Sequence, residues 1–113
     1  YYETFNKSLE EFVKKNPSKG LYDPINYLLN LGGKRLRPIL VLMSADVFGK
    51  KHKKAIHAAL AVEIFHNFTL MHDDIMDEAP LRRGKLTVHK KWNFSHLFNN
   101  FYNVFCVNNI VNF

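Results

Sequence analysis

Apolar side chains recur at helical spacing along most of the chain. Phe5, Leu9, Phe12 and Val13 stand at i, i+4, i+7 and i+8 and mark one face of a first helix that should stop at Asn16-Pro17. Ser18-Lys19-Gly20 reads as a turn. Asp23 followed by Pro24 reads as a cap and a first helical position, opening a short helix whose apolar residues are Ile25, Leu28, Leu29 and Leu31 and which Gly32-Gly33 ends. A third helix is predicted from near Pro38, through Ile39, Leu40, Leu42, Met43 and Val47, to Gly49, a residue suited to the left-handed C-terminal position. It is apolar nearly all round, which predicts an internal helix. After the basic turn Lys50-Lys51-His52-Lys53-Lys54, residues 55–76 contain neither Gly nor Pro and predict the longest helix. Residues 78–87, with Pro80 and Gly84, read as a loop, and Thr87 as a cap for a fifth helix starting at Val88. No strand alternation and no internal repeat is visible, so the fold class expected is all-α.

Composition divides the chain in two. All 26 charged residues precede position 92, whereas residues 93–113 hold seven Asn, five Phe and no Asp, Glu, Lys or Arg. The domain reading is therefore 1–92 as one helical unit and 93–113 as an atypical tail. Two origins compete for that tail: a buried or partner-facing helix, or sequence foreign to the fold, such as a frame-shifted or intron-derived end. The poor helix propensity of Asn, and the partners seven buried copies would need, favour the second.

With 113 residues and 47% hydrophobic side chains, the chain fits one domain or part of one, and neither disorder nor a collagen-like chain. The single cysteine, Cys106, excludes an internal disulfide and points to a reducing compartment, read here as cytoplasmic. A net charge of +6 suits a polyanionic partner: nucleic acid, an anionic membrane or a phosphate ester. No signal peptide and no membrane span is expected.

The chemistry concentrates at the far end of the long helix, in Met71-His72-Asp73-Asp74-Ile75-Met76-Asp77. Asp73 and Asp77 are neighbours one turn apart, and like charges so placed repel. The helix C-terminus is also the negative end of the macrodipole, where each Asp costs a few tenths to about 1 kcal/mol. A divalent cation resolves the conflict, and hard carboxylate oxygens without Cys point to Mg2+ rather than Zn2+. Mg2+ favours one or two carboxylates completed by waters and substrate phosphate oxygens, so the implied substrate is a phosphate ester or diphosphate. A solvated acidic helix end with basic counter-ions is the competing reading.

His66 lies seven residues before Asp73 on the same stripe, while Leu60, Ile64, Phe68, Met71 and Ile75 read as core on the far side. Two basic clusters frame the helix: Lys34-Arg35-Leu36-Arg37 after Gly32-Gly33, and Arg82-Arg83-Gly84-Lys85 after the carboxylates. Glycine lets the backbone approach an anion and guanidinium forks grip phosphate oxygens, so two anion sites beside a cation site are expected.

At these residues the sequence closely resembles the trans-isoprenyl diphosphate synthases, the polyprenyl synthetase family. The resemblance rests on Gly32-Gly33-Lys34-Arg35-Leu36-Arg37-Pro38, on His66 followed by Asp73-Asp74-Ile75-Met76-Asp77 as the first aspartate-rich motif, and on Arg82-Arg83-Gly84 with Thr87-Val88-His89. It implies the N-terminal part of the isoprenoid synthase helical barrel and a head-to-tail prenyl transfer. In that reading Asp73 and Asp77, with Asp74 assisting, hold Mg2+ against an allylic diphosphate, and Arg82 adds positive charge to the same leaving group. Lys34, Arg37, His66 and Arg83 bind the diphosphate of isopentenyl diphosphate. Phe68 and Thr69, the fifth and fourth positions before Asp73, are where bulk limits product length in the family, and Phe68 implies farnesyl or geranylgeranyl diphosphate. Full-length members are expected as homodimers.

Two departures stand out. Leu86 occupies a position that is usually Pro in the family, and the second aspartate-rich motif is absent, so the chain reads as truncated and inactive alone. A non-catalytic helical module that binds diphosphates or pairs with a full-length synthase is the alternative function. Nucleic-acid binding is not expected, because no recognised motif or aromatic interleaving accompanies the basic clusters.

Overall fold

A computed structural model describes residues 1–15 and 22–92. The expected stop at Asn16-Pro17, the turn Ser18-Lys19-Gly20 and the tail 93–113 lie outside the described residues. Within them run α1 Tyr2–Lys15, α2 Asp23–Asn30, α3 Leu36–Val47, a 3-10 turn His52–Ala55, α4 Ile56–Met76, the strands β1 Leu81–Arg82 and β2 Lys85–Leu86, and α5 Val88–Lys91. The α4 helix is the axle, packed against α1, α2, α3 and α5. Phe5 and Leu9 of α1, Ile25, Leu28 and Leu29 of α2, Leu42 of α3 and Ala59, Leu60, Ile64 and Met71 of α4 form one buried cluster, which Val88 closes. The periodic apolar faces expected for α1, α2 and α4 are thus the core faces.

Element ends differ from the expectation in instructive ways. Tyr22 holds the N-cap position of α2, so Asp23 is its first helical residue rather than its cap, and Pro24 follows within the first turn, where no N–H is needed. Helix α3 starts at Leu36, two residues before Pro38, which the first turn tolerates for the same reason. At the other end Gly49 takes φ 74°, with Gly49 N–H donating to Asp46 O and Lys50 N–H to Ala45 O, a Schellman cap in which glycine fills the left-handed position as expected.

The expectation of an internal α3 is corrected. Pro38 and Leu42 are buried, but Leu36, Leu40, Met43 and Val47 are 43% to 79% exposed. Spaced i, i+4, i+7 and i+11, they form one stripe opposite α4, and none of the described elements covers it.

Residues 78–87 are also more ordered than a loop. Leu81 pairs with Leu86 and Arg82 with Lys85 in an antiparallel ribbon, and the two turn residues Arg83 and Gly84 both have positive φ, 51° and 77°. That is the pattern of a type I′ hairpin, whose twist matches the strands. Two-residue strands leave no room for visible alternation in sequence. Thr87 stands at the N-cap position of α5, yet its hydroxyl donates to Ala79 O at 2.7 Å instead of capping the helix, and so staples the base of the hairpin.

Candidate functional site

Helix α4 ends in a second Schellman cap, with Glu78 N–H donating to Ile75 O and Ala79 N–H to Asp74 O. Here the left-handed position is filled by Glu78, φ 51°, at a steric cost of about 1 kcal/mol that glycine would avoid. The cap turns the chain back so that the hairpin lies beside the last turn of the helix.

The three aspartates have separate fates. Asp73 and Asp77 are exposed, one turn apart, with Asp77 N–H donating to Asp73 O at 2.9 Å. Asp74, by contrast, is covered by the hairpin and is 6% exposed. It accepts a bidentate fork from Arg82, with Nε at 2.6 Å and Nη2 at 2.8 Å. That bond, with a smaller contribution from the charge of Asp73, holds the Arg82 pKa above its ordinary value. Of the guanidinium, only Nη1 lies outside the fork.

The tip of the hairpin docks on the glycine turn. Arg83 Nη1 donates to the Gly32 carbonyl, and a Cβ built on Gly33 would lie 3.3 Å from Arg83 Nη2. Glycine at 33 therefore makes the close approach possible. Tyr27 secures the other strand: its hydroxyl donates to Leu86 O at 2.7 Å, its ring meets Trp92 edge-on at 5.2 Å, and Lys91 Nζ sits 4.1 Å above it. The unusual Leu86 thus anchors the hairpin through its carbonyl.

The Lys34-Arg35-Leu36-Arg37 cluster is split by burial. Arg35, φ 54° and 7% exposed, turns inward, with Nη1 on Glu63 Oε1 at 2.6 Å and Nη2 on Leu29 O at 2.7 Å. Asn67 completes the network, its Nδ2 donating to Glu63 Oε1 at 3.3 Å and to Glu63 O at 2.8 Å. Arg37 and Lys34 stay exposed. Arg37 Nη1 donates to His66 Nε2 at 3.1 Å. A guanidinium cannot accept, so His66 is neutral with its proton on Nδ1. Partial burial, then the charges of Arg37, Arg83 and Arg82, lower its pKa below 6.5, and Glu63 opposes them.

Arg37, Arg82 and Arg83 therefore converge electrostatically on His66, although they come from two segments separated by the whole of α4. Asp73 and Asp77 lie on the exposed side of the same helix. Among the described residues no His, Cys, Asp or Glu side chains gather in a group of three that could enclose a metal. Two exposed carboxylates one turn apart, neither ion-paired within the described residues, do fit an open Mg2+ site, in which oxygen ligands from water and phosphate complete the shell. Sequence reasoning singled out Lys34, Arg37, His66, Asp73, Asp74, Asp77, Arg82 and Arg83, and did not find Glu63, Asn67 or Tyr27. The first two recur at i and i+4 on the core face of α4, a signal that was legible; Tyr27 acts through a contact 59 residues away and left none.

Comparison with known proteins agrees with this geometry. The Polyprenyl synthetase family model matches residues 18–109, a stretch that runs past the change of composition at Asn93. The geranylgeranyl pyrophosphate synthase of Geoglobus acetivorans is 54% identical over 84 residues, covering 74% of this chain and 26% of that protein. The geranylgeranyl diphosphate synthase of Saccharolobus solfataricus is 52% identical over 87 residues, 77% of this chain and 26% of its own length. The chain thus spans about a quarter of these curated relatives. A solved geranylgeranyl pyrophosphate synthetase from Geoglobus acetivorans superimposes with a TM-score of 0.81 at 43% identity, over 92% of this chain and 34% of that one. Helical fold, motif order and a family match over most of its length agree: the chain belongs to the polyprenyl synthetase family.

Proposed function

We propose that the chain is the N-terminal part of a trans-prenyltransferase that condenses an allylic diphosphate with isopentenyl diphosphate. The observation that carries this is the docking of Arg83 on Gly32-Gly33, which joins the two basic clusters beside His66 and next to the exposed carboxylates. Arg37, Arg83 and Lys34 bind the isopentenyl diphosphate by charge-assisted hydrogen bonds. His66, neutral and carrying its proton on Nδ1, adds a donor once Arg37 has oriented the ring. Asp73 and Asp77 hold Mg2+ against the allylic diphosphate, and Arg82, steadied by Asp74, offers Nη1 to the same group. When bound, the metal supplies positive charge that stabilises the diphosphate as it departs and leaves an allylic cation for the isopentenyl double bond.

The names of the relatives, geranylgeranyl diphosphate synthases and a farnesyl diphosphate synthase from Micrococcus luteus, fit the short product implied by Phe68. A homodimeric full-length protein and a cytoplasmic location are carried over with the family. The direct test is calorimetric titration of the purified chain with isopentenyl diphosphate. Arg83→Ala and Gly33→Ala should each weaken binding at least about tenfold, the worth of one charge-assisted contact; unchanged affinity refutes the site.

Alone the chain should give no turnover, and steady production of farnesyl or geranylgeranyl diphosphate by it would overturn that. The alternative, a non-catalytic module that binds diphosphates or pairs with a full-length synthase, draws support from the open stripe of α3 and predicts binding without turnover even when a longer synthase chain is supplied. For residues 93–113, foreign origin predicts that another reading frame of the coding DNA continues into helical sequence with a second aspartate-rich motif. A single uninterrupted frame refutes it.

A further inference from the structure

Beyond the diphosphate site, we propose that the end of the molecule opposite the carboxylates, the 47–54 loop between α3 and α4, is a docking surface for an anionic lipid bilayer. The last residue of α3 and the one after it, Val47 and Phe48, are 79% and 82% exposed, the two most exposed large apolar side chains among the described residues. They are followed within six residues by Lys50, Lys51, Lys53 and Lys54, all exposed. Lys53 lines a groove with Glu3 and Glu11, whereas among the described residues no acidic side chain is ion-paired with Lys50, Lys51 or Lys54. The nearby carboxylate, Asp46, is exposed but engaged by the loop and by Tyr1: it accepts from Tyr1 Oη at 2.7 Å and from His52 N–H at 2.7 Å, and meets His52 Nδ1 at 3.0 Å. It therefore braces the loop instead of neutralising the lysines.

An exposed aromatic next to an exposed valine, ringed by uncompensated cations, matches the two requirements of a bilayer surface: an apolar boundary to enter and negative headgroups above it. The cations of this patch are all lysine. A nucleic-acid groove would favour the planar fork of arginine, and the four arginines of this chain lie elsewhere, three at the diphosphate site and Arg35 buried on Glu63. No described helix is long and apolar enough to cross a membrane, so the contact is peripheral. The 21 residues of α4 set the patch about 30 Å from Asp77, so docking leaves the carboxylate end facing away from the bilayer.

The test is co-sedimentation of the chain with vesicles of phosphatidylcholine plus phosphatidylserine, and with vesicles of phosphatidylcholine alone, at about 0.1 M salt. Binding is expected on the anionic vesicles and at least tenfold weaker on the neutral ones, by the charge of at least two lysines. Lys50→Ala with Lys51→Ala should weaken it about 25-fold, about fivefold for each lysine. Phe48→Ser should weaken it about tenfold through lost apolar contact. Both sites are exposed, so helix content by circular dichroism should be unchanged. As a second readout, Phe48→Trp should give fluorescence quenched by brominated lipid only in anionic vesicles. Equal binding to both vesicle types, an unaffected Phe48→Ser variant, or a single-stranded RNA oligonucleotide that binds more tightly and displaces the vesicles would each overturn the proposal. Pyrophosphate binding at the far end is indifferent to all of these outcomes.

Discussion

The Arg35–Glu63 pair is the strongest single lever on the site, because it fixes the glycine turn and Arg37 to α4. Both side chains are 6% exposed and 2.6 Å apart. At an effective dielectric of about 20, that separation gives a gross attraction of about 6 kcal/mol. Removing two ions from water costs a similar amount, so the intact pair contributes little net stability. Removing one partner is different, since the other is left as a buried, uncompensated ion. Glu63→Leu should destabilise by about 3–5 kcal/mol. Arg35→Met should cost about 3 kcal/mol, leaving Glu63 with Asn67 as its remaining side-chain donor. The double variant loses the bonds from Arg35 to Leu29 O and from Asn67 to Glu63 Oε1, with the surface complementarity, about 1–2 kcal/mol. The interaction energy from the cycle is therefore at least about 4 kcal/mol. Urea unfolding followed by circular dichroism measures it. Additive effects of the two single substitutions would show that the pair does not act as a buried unit and would remove the basis for its positioning role.

Three further outcomes follow from the same geometry. His66 titrates below its ordinary value of 6.5 when folded, so the stability it contributes is present above pH 6.5 and lost as pH falls through the lowered value; His66→Gln should flatten the pH dependence of unfolding in that window, and an unchanged profile counts against the Arg37 contact. Asp73→Asn and Asp77→Asn each relieve repulsion at a helix C-terminus and should raise the melting temperature of the metal-free chain, by about 0.3–1 kcal/mol of stability, while abolishing Mg2+-dependent pyrophosphate binding. Loss of stability instead would mean that these carboxylates have structural partners. Glu78→Gly should stabilise by about 1 kcal/mol in thermal unfolding, because glycine removes the left-handed strain at the α4 cap; destabilisation would contradict the conformation.

Much of the molecule was legible in the order of its residues. Helices declare themselves through local periodicity, and the i to i+7 faces of α1, α2 and α4 became core because burying an apolar stripe is the only way such a helix is stabilised. Gly49 ended α3 for a conformational reason that needs no neighbours. The acidic and basic clusters were visible because each is contiguous. Tertiary structure decided which members of those clusters do what. Adjacent aspartates stand about 100° apart around a helix, and only the position of the hairpin made Asp74 the buried partner of Arg82 while Asp73 and Asp77 stayed open. Arg35 and Arg37 differ by two positions, and the left-handed turn at Arg35 sent one to Glu63 and the other to His66. The exposure of α3 could not be read from its composition either, since a helix apolar nearly all round says that it needs covering but not by what. Local pattern determines elements because its causes lie within a few residues; pairing, burial and charge depend on groups 28 to 59 residues apart, and only the packed chain brings those together.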